Sequence, residues 1–408
     1  MNAPFNSLIP AYVMSVYLIP ETIIKEIERM FNSFWWGGGT NNGGIKWLAW
    51  DRMTYPKAYG GLGFRNLHLF NMAMVAKQGW NLMTKPNTLV ARVYKARYFP
   101  HSSFLASHLG NNPSYAWRSL WKSRQVLMKG CRWRIGDGSK IKVMHEPWLK
   151  KDDEKWVPSP QEQGVSNLYV NDLMLPRGKV WDSNKIHNLF SSNVANSILV
   201  VPLFGDIEED CLVWDDDIHG NYNVKSGYKL LLQSTISAEA SQESEDWKCI
   251  WKIQAPPKTK HLLWRICKGC LPTRTRLKDR HVQCPTSCPL CESEEEDDVH
   301  FLYGCENSKQ AWQGARLGHI VQSLTQQASS SKDYIMNLFR NNDRKVAGKA
   351  AMLLWVLWKN RNNWIWNHER DNGQQLGRLA MNLWHESEAV QNEYSNRGQH
   401  VQQTSLSW

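Results

Sequence analysis

Four potential metal ligands in one short segment constrain the fold of this chain more than any other feature. Cys288, Cys291, His300 and Cys305 follow the pattern Cys-x2-Cys-x8-His-x4-Cys. A Cys-x2-Cys turn aims two thiolates at one point, and the other two side chains can complete a tetrahedron around an ion. Three sulfurs and one imidazole suit Zn²⁺, and four protein ligands leave no open position for catalysis. The pattern predicts a structural zinc site that contributes on the order of 10–16 kcal/mol of apparent binding free energy to local folding.

Other cysteines leave alternatives to this ligand set. The chain has nine cysteines, an odd number, and most of them lie between residues 267 and 305. In a chain of 408 residues this clustering favours metal binding over a secreted disulfide framework. Cys284 is close enough to compete, and Cys267 and Cys270 form a second Cys-x2-Cys pair in an apolar helical context that favours core packing. Unliganded buried thiols are the alternative for the predicted site itself.

Composition limits the class of protein. The length of 408 residues is enough for two or three domains. Hydrophobic residues make up 42% of the chain, which permits a sizeable core and excludes wholesale disorder. Residues 1–18 carry no Lys or Arg and are interrupted by Pro4 and Pro10, so they do not resemble a signal peptide. The sequence has no uninterrupted apolar run of about 18 residues, so we expect no membrane span. The expected location is intracellular, in the nucleus or cytoplasm.

The charge pattern predicts a polyanionic partner. Lys and Arg number 49 against 38 Asp and Glu, and the basic excess lies in residues 51–150 and 252–280, with an acidic stretch at 151–250. The expected partner is RNA or DNA, bound through phosphates without base specificity; ordinary solvated basic faces are the alternative. The 22 Trp residues either pack in cores or provide platforms on which bases stack. The candidate phosphate contacts are Arg132, Arg134, Lys140, Lys142, Lys258, Lys260, Arg274, Arg276, Lys278 and Arg280.

Hydrophobic periodicity predicts a mainly α fold with small β-hairpins (α+β). Strong helical patterns begin at Glu21 and cover residues 66–100 and 346–368. In the first of these helices we expect an apolar stripe that faces a core; its members are Ile23, Ile27, Met30, Phe31 and Phe34. Alternation predicts one hairpin over 131–144, with its basic side chains on one face, and a second around 217–220.

A series of short motifs follows one order along the chain. They are Trp47 to Trp50, Pro56 to Phe64, Tyr115 to Ser119, Arg132 to Gly138, Gly220 to Tyr228, Ile250 to Lys252, Pro256 to Lys258, Trp264-Arg265, Leu271 to Thr273, and Trp355 to Asn362. The segment from Trp247 to Trp312, which contains the Cys/His pattern and several of these motifs, resembles the reverse-transcriptase zinc-binding domain of plant LINE-type (non-LTR) retrotransposons. The upstream motifs resemble the segment that follows the polymerase palm in the same polyproteins.

This resemblance implies four segments. They are a basic thumb- or connection-like part at 1–150, an acidic spacer at 151–210, the zinc-binding domain at 211–312, and a helical part at 313–408. Family members carry a palm with a Tyr/Phe-x-Asp-Asp motif, and many end in a ribonuclease H domain. We expect this chain to begin after the palm and to end about where ribonuclease H begins, so no catalytic residue is assigned.

The predicted function is that of a non-catalytic reverse-transcriptase fragment. It would bind zinc structurally and nucleic acid through its basic residues, with the other parts of the polyprotein as possible partners. Two alternatives stay open at this point. One is a zinc-dependent protein-interaction module, and the other is an accessory part of a polymerase that acts in trans.

Overall fold

The computed structural model describes residues 11–37, 44–150, 155–158, 164–176, 178–236, 244–325 and 330–404. The fold class is confirmed, because these residues are mainly helical and contain one two-stranded antiparallel sheet. The helices are Ala11–Val16, Glu21–Trp35, Trp50–Thr54, Leu67–Thr84, Leu89–Tyr98, Tyr115–Gly130, Ser183–Leu189, Ser192–Leu199, Val224–Thr235, Ser244–Lys252, Pro257–Cys267, Arg274–Asp279, Glu306–Gly314, Gly318–Thr325, Ser331–Arg340, Arg344–Asn367 and Gly373–Thr404. No helix in the described ranges has the length and apolar character that crossing a membrane requires.

The chain packs into two compact units. One unit comprises Met1–Glu28 and Arg65–Ile236, and the other comprises Arg29–Phe64 and Ser237–Trp408. These divisions fall at different positions from the four segments expected from the sequence, which remain a prediction about how the chain is organised.

A tryptophan-rich core organises the first unit. The Leu67–Thr84 helix begins at Asn66, whose side chain accepts a hydrogen bond from the backbone N–H of residue 69. It packs against Tyr115–Gly130 and Val224–Thr235. Among the largest buried side chains between these elements are Trp80, Trp117, Trp214 and Tyr222. A second cluster is built on Ile135, Ile141, Val143, Trp148 and Ile186.

The predicted 131–144 hairpin is wrong. The strand Cys131–Arg134 pairs antiparallel with Cys211–Trp214, so its partner lies far along the sequence. The reason is Asp210, whose carboxylate accepts hydrogen bonds from the backbone N–H groups of Gly136, Gly138 and Lys140 at 2.7–2.9 Å. These three hydrogen bonds fix the glycine loop, residues 136–140, in a conformation that is not a hairpin turn. The apolar residues that follow it, Ile141 and Val143, enter the second core cluster.

The second predicted hairpin is correct only in its first strand and its turn. Asp217 closes the turn by accepting hydrogen bonds from the backbone N–H groups of His219 and Asn221, both at 3.1 Å. The returning strand does not form. Instead, the Asn223 side chain accepts a hydrogen bond from the backbone N–H of Ser226 at 2.8 Å and starts a helix.

The helix predicted from Glu21 is present as Glu21–Trp35, but its predicted core-facing stripe is correct only in part, at Phe31 and the half-buried Ile27. Ile24 and Phe31 are buried, whereas Ile23, Met30 and Phe34 are 46%, 54% and 66% exposed. The buried face is therefore rotated by about one residue from the predicted stripe, because both faces of this helix carry apolar side chains at helical spacing.

A long helix, Arg344–Asn367, forms the core of the second unit and confirms the prediction for residues 346–368. Its first turn is capped by Asp343, whose carboxylate accepts from two backbone N–H groups, and it ends at His368 in the left-handed conformation (φ 58°). It packs against the Pro257–Cys267 and Gly373–Thr404 helices. Gly377, in the last helix, approaches the Ala311 carbonyl so closely that a Cβ atom would collide with it.

Candidate metal centre

The four predicted ligands converge in the second unit. Cys288 and Cys291 lie on a tight turn in which the backbone N–H of Cys288 donates to the Glu294 carbonyl at 2.6 Å. His300 begins a short π-helical segment, and Cys305 follows that segment directly before the Glu306–Gly314 helix. The Cys305 N–H donates to the His300 carbonyl at 2.7 Å, which fixes these two ligands relative to each other.

The spacing of the ligand atoms fits one tetrahedral ion. The three Sγ atoms and the imidazole nitrogen all lie within 4.8 Å of one another. The Cys288 and Cys305 sulfurs are 3.9 Å apart, and the Cys291 sulfur is 3.4 Å from the His300 Nε2. Metal–sulfur bonds of about 2.3 Å and metal–nitrogen bonds of about 2.0–2.1 Å give tetrahedral edges of roughly 3.8 and 3.5 Å. The donor set and these two separations therefore match a four-coordinate metal site.

The imidazole of His300 is oriented by a carboxylate. Its Nδ1 lies 2.9 Å from a Glu294 carboxylate oxygen, so Nδ1 carries the proton and Nε2 faces the Cys291 sulfur. Metal-bound histidines commonly have such a partner, which fixes the tautomer and increases the basicity of the ligating nitrogen. The Asp297 side chain also accepts a hydrogen bond from the His300 backbone N–H at 2.6 Å.

The electrostatics of the thiols favour a cation. A hydrogen bond from Cys288 to Cys305, together with burial, raises the pKa of Cys288. The same hydrogen bond lowers the pKa of Cys305. Two thiolates at this distance repel each other, and a bound cation removes that penalty by binding both.

Two ion pairs with buried carboxylates support the loop that carries these residues. Glu296 is fully buried and accepts hydrogen bonds from the Arg361 guanidinium, including one from Nε at 2.7 Å. Asp298 is buried against Arg276, with Nε–Oδ1 at 3.2 Å. The loop between Cys291 and His300 is rich in Asp and Glu, and it therefore has exposed acids as well as two buried acids with structural roles. Sequence reasoning missed Arg361, because no local pattern connects it to a glutamate that lies 65 positions away.

The ten predicted phosphate contacts divide between the two units. The first unit holds four of them, each beside a neighbour: Arg132 with Asp215, Arg134 with the Cys211 sulfur, Lys140 with Glu209, and Lys142 with the Tyr169 ring. The Lys140 pair is largely solvent-exposed, so it stabilises the fold little.

The other six lie in the second unit and differ in their surroundings. Arg274 donates to the Ser287 carbonyl at 2.6 Å, and Arg276 pairs with Asp298, so both guanidinium groups serve the ligand loop. Lys260 donates to the Trp251 carbonyl at 2.9 Å. The remaining three are exposed: Lys258 lies over the Trp355 ring, Arg280 lies beside the Trp47 ring, and Lys278 is on the Arg274–Asp279 helix.

Comparisons with known proteins agree with this site. Residues 222–312 match the family described as zinc-binding in reverse transcriptase, and all four ligands lie within the match. A putative ribonuclease H protein of Arabidopsis thaliana is 26% identical over 369 residues, covering 86% of this chain. An uncharacterized mitochondrial protein of the same plant is 39% identical over 142 residues, or 35% of this chain and 92% of that protein. The chain spans 58% of the length of the first relative, and no solved structure matches it. The chain therefore belongs to the family of retrotransposon-derived reverse transcriptases that carry this zinc-binding domain.

Proposed function

We propose that this chain is a non-catalytic region of a plant LINE-type (non-LTR) reverse transcriptase that holds a structural Zn²⁺ and binds nucleic acid. The observation that carries the proposal is the Cys₃His set with tetrahedral spacing, inside the segment that matches the zinc-binding family. The location that fits this role is intracellular, in the nucleus or cytoplasm. The remaining parts of a retroelement polyprotein are the natural protein partners.

The proposed ion is Zn²⁺ because of the donor chemistry. Three thiolates and one imidazole in tetrahedral arrangement are typical of structural zinc sites, whereas carboxylate-rich sites suit Mg²⁺ or Ca²⁺. When bound, Zn²⁺ would cross-link the Cys288–Cys291 turn to the segment from His300 to Cys305. Because four protein ligands complete its coordination, its role in this proposal is to stabilise the fold.

Exposed basic side chains are the proposed contacts for phosphates. In the second unit we assign the main contacts to Lys258, Lys278 and Arg280, because these side chains are exposed. Arg274 and Arg276 are expected to contribute less, since their guanidinium groups already bind the ligand loop. In the first unit the proposed contacts are Arg132, Arg134, Lys140 and Lys142. The exposed Glu209 beside Lys140 is a weak competitor for a phosphate.

Salt dependence tests the nucleic-acid part of the proposal. Anisotropy of a fluorescein-labelled single-stranded oligonucleotide is measured with the zinc-loaded chain at increasing salt. Each phosphate contact contributes about −0.7 to the slope of log affinity against log salt. Lys278→Gln and Arg280→Gln should each reduce that slope by about this amount. Arg344→Gln, an exposed arginine outside the proposed set, is the control. An affinity that does not fall between low and moderate salt would refute nucleic-acid binding by these residues.

A specific observation favours protein interaction as a second candidate function. The Leu89–Tyr98 helix in the first unit exposes three apolar side chains, Leu89, Val90 and Val93. Clustered exposed apolar residues are typical of interaction surfaces. A zinc-dependent interaction module, or an accessory role beside a polymerase in trans, would use such a surface. A tight protein partner that persists after nuclease treatment, and is lost with Val93→Asp, would favour this function.

A further inference from the structure

An accessible face of the Arg344–Asn367 helix carries tryptophan and polar side chains. Trp355, Lys359, Asn362 and Trp366 recur at spacings of four, three and four residues, so they lie along one side of the helix. Trp366 is 78% exposed. Burying a large aromatic side chain is favourable, so a tryptophan left this exposed on a well-formed helix requires an explanation other than core packing.

Two cavities flank this face, and both are lined by Trp355 and Trp358. One has a volume of about 300 Å³ and is also lined by Trp36, Lys258 and Arg265. The other has a volume of about 340 Å³, and its further lining includes Lys359, Asn362 and Trp366. Both volumes are at the lower end of the roughly 300–1,000 Å³ typical of small-ligand pockets. They are therefore large enough for flat, compact groups and not for a bulky ligand.

Cations lie over the aromatic rings of these cavities. The Lys258 Nζ is 3.7 Å from the centroid of the Trp355 ring, and the Lys359 Nζ is 5.7 Å from it. Both lysines are exposed, so their ammonium groups can move aside while staying close to the ring. In the residues that the structure describes, no carboxylate lines either cavity. The surface thus combines flat aromatic faces with positive charge.

Arg265 adds a half-buried cation at the edge of the first cavity. Its guanidinium carbon is 5.8 Å from the Trp36 ring centroid. Its Nε is buried and has no hydrogen-bond partner within the described part of the chain. Burial lowers the pKa of Arg265, since the charged form is poorly solvated there. An anionic oxygen at this position would satisfy the Nε donor and compensate the charge.

We propose that Trp355 and Trp366 bind unpaired bases of single-stranded nucleic acid by stacking, while Lys258, Lys359 and Arg265 contact the adjoining phosphates. This inference rests on the proposed function and identifies one place where the strand lies. Trp355 and Trp366 are separated by about 16 Å along the helix, at 1.5 Å per residue, so one strand can contact both rings. Stacking on aromatic side chains beside a basic groove is how proteins bind single strands without sequence preference.

The experiment measures the binding of two fluorescein-labelled probes to the zinc-loaded chain of 408 residues. One probe is an oligothymidylate, and the other is an abasic strand of the same length and charge. We expect the wild type to bind the oligothymidylate more tightly. Trp366→Ala should weaken oligothymidylate binding about ten-fold and leave abasic binding unchanged. Trp366→Phe should restore most of the affinity, whereas Lys258→Gln should weaken the binding of both probes.

Controls separate stacking from damage to the fold. Trp355 is half-buried, so the exposed Trp366 is the decisive position. Tyr12→Ala removes an exposed aromatic side chain from the other unit and should change neither affinity. The inference would be overturned if the wild type bound both probes equally, or if Trp366→Ala had no effect. In either case, salt-dependent binding of the abasic strand would still support the proposed function. Failure to bind either probe would overturn both.

Discussion

The buried pair of Glu296 and Arg361 should control the stability of the metal-binding loop. Glu296 is fully buried, and the Arg361 side chain is only 5% exposed. Two guanidinium nitrogens and the backbone N–H of Arg274, at 2.9 Å, donate to the carboxylate. Arg361→Met would leave that buried charge with one strong donor. Removing one member of a buried ion pair typically costs about 3–5 kcal/mol.

Hydrogen exchange of residues 286–305 measures this cost locally. Amides in this segment exchange through local opening, so a loss of about 3 kcal/mol should accelerate exchange by about 100-fold or more. The double variant Glu296→Gln/Arg361→Met should be less destabilised than Arg361→Met alone, because it leaves no unpaired charge. Arg344→Met, an exposed arginine on the same helix, is the control and should exchange like the wild type. Unchanged exchange in Arg361→Met would refute the claim that this pair supports the loop.

Three further predictions concern single side chains. Glu294→Gln should weaken metal affinity by about 10- to 100-fold in a chelator competition, because the amide replaces the carboxylate that orients His300; unchanged affinity would contradict this role. Burial raises the pKa of Glu146, although a hydrogen bond from Trp133 opposes this, so the contribution of this carboxyl group to native stability should decrease as pH rises from 4.5 toward neutral. Urea unfolding at several pH values should show that Glu146→Gln removes this decrease. Identical pH profiles for the variant and the wild type would exclude the effect. Gly377→Ala should lower the thermal midpoint, since its Cβ would collide with a carbonyl, and a wild-type midpoint would show that the helices adjust.

The sequence was sufficient for the features that depend on nearby residues. The four candidate ligands could be expected to converge because their spacing matches a local turn and a short helical segment. The long helix at 344–367 was predictable from apolar spacing. Reverse-transcriptase ancestry was predictable from the order of short motifs, and the family match agrees with it.

Features that depend on distant residues could not be predicted in this way. The alternating residues after Cys131 have strand character, but the Asp210 carboxylate holds the glycine loop, and the strand pairs with 211–214 instead. Likewise, the sequence shows an acidic loop between Cys291 and His300, but not that Arg361 on the Arg344–Asn367 helix neutralises Glu296 in that loop. In both cases the deciding contact joins residues more than 60 positions apart.

The metal content of the purified chain tests the central claim most directly. After dialysis against metal-free buffer, mass spectrometry should detect one zinc ion per wild-type chain. Cys288→Ser and His300→Ala should each lose it, whereas Cys249→Ser, which changes a half-buried cysteine outside the site, should retain it. A wild-type chain without bound zinc, or zinc retained in both ligand variants, would contradict the account.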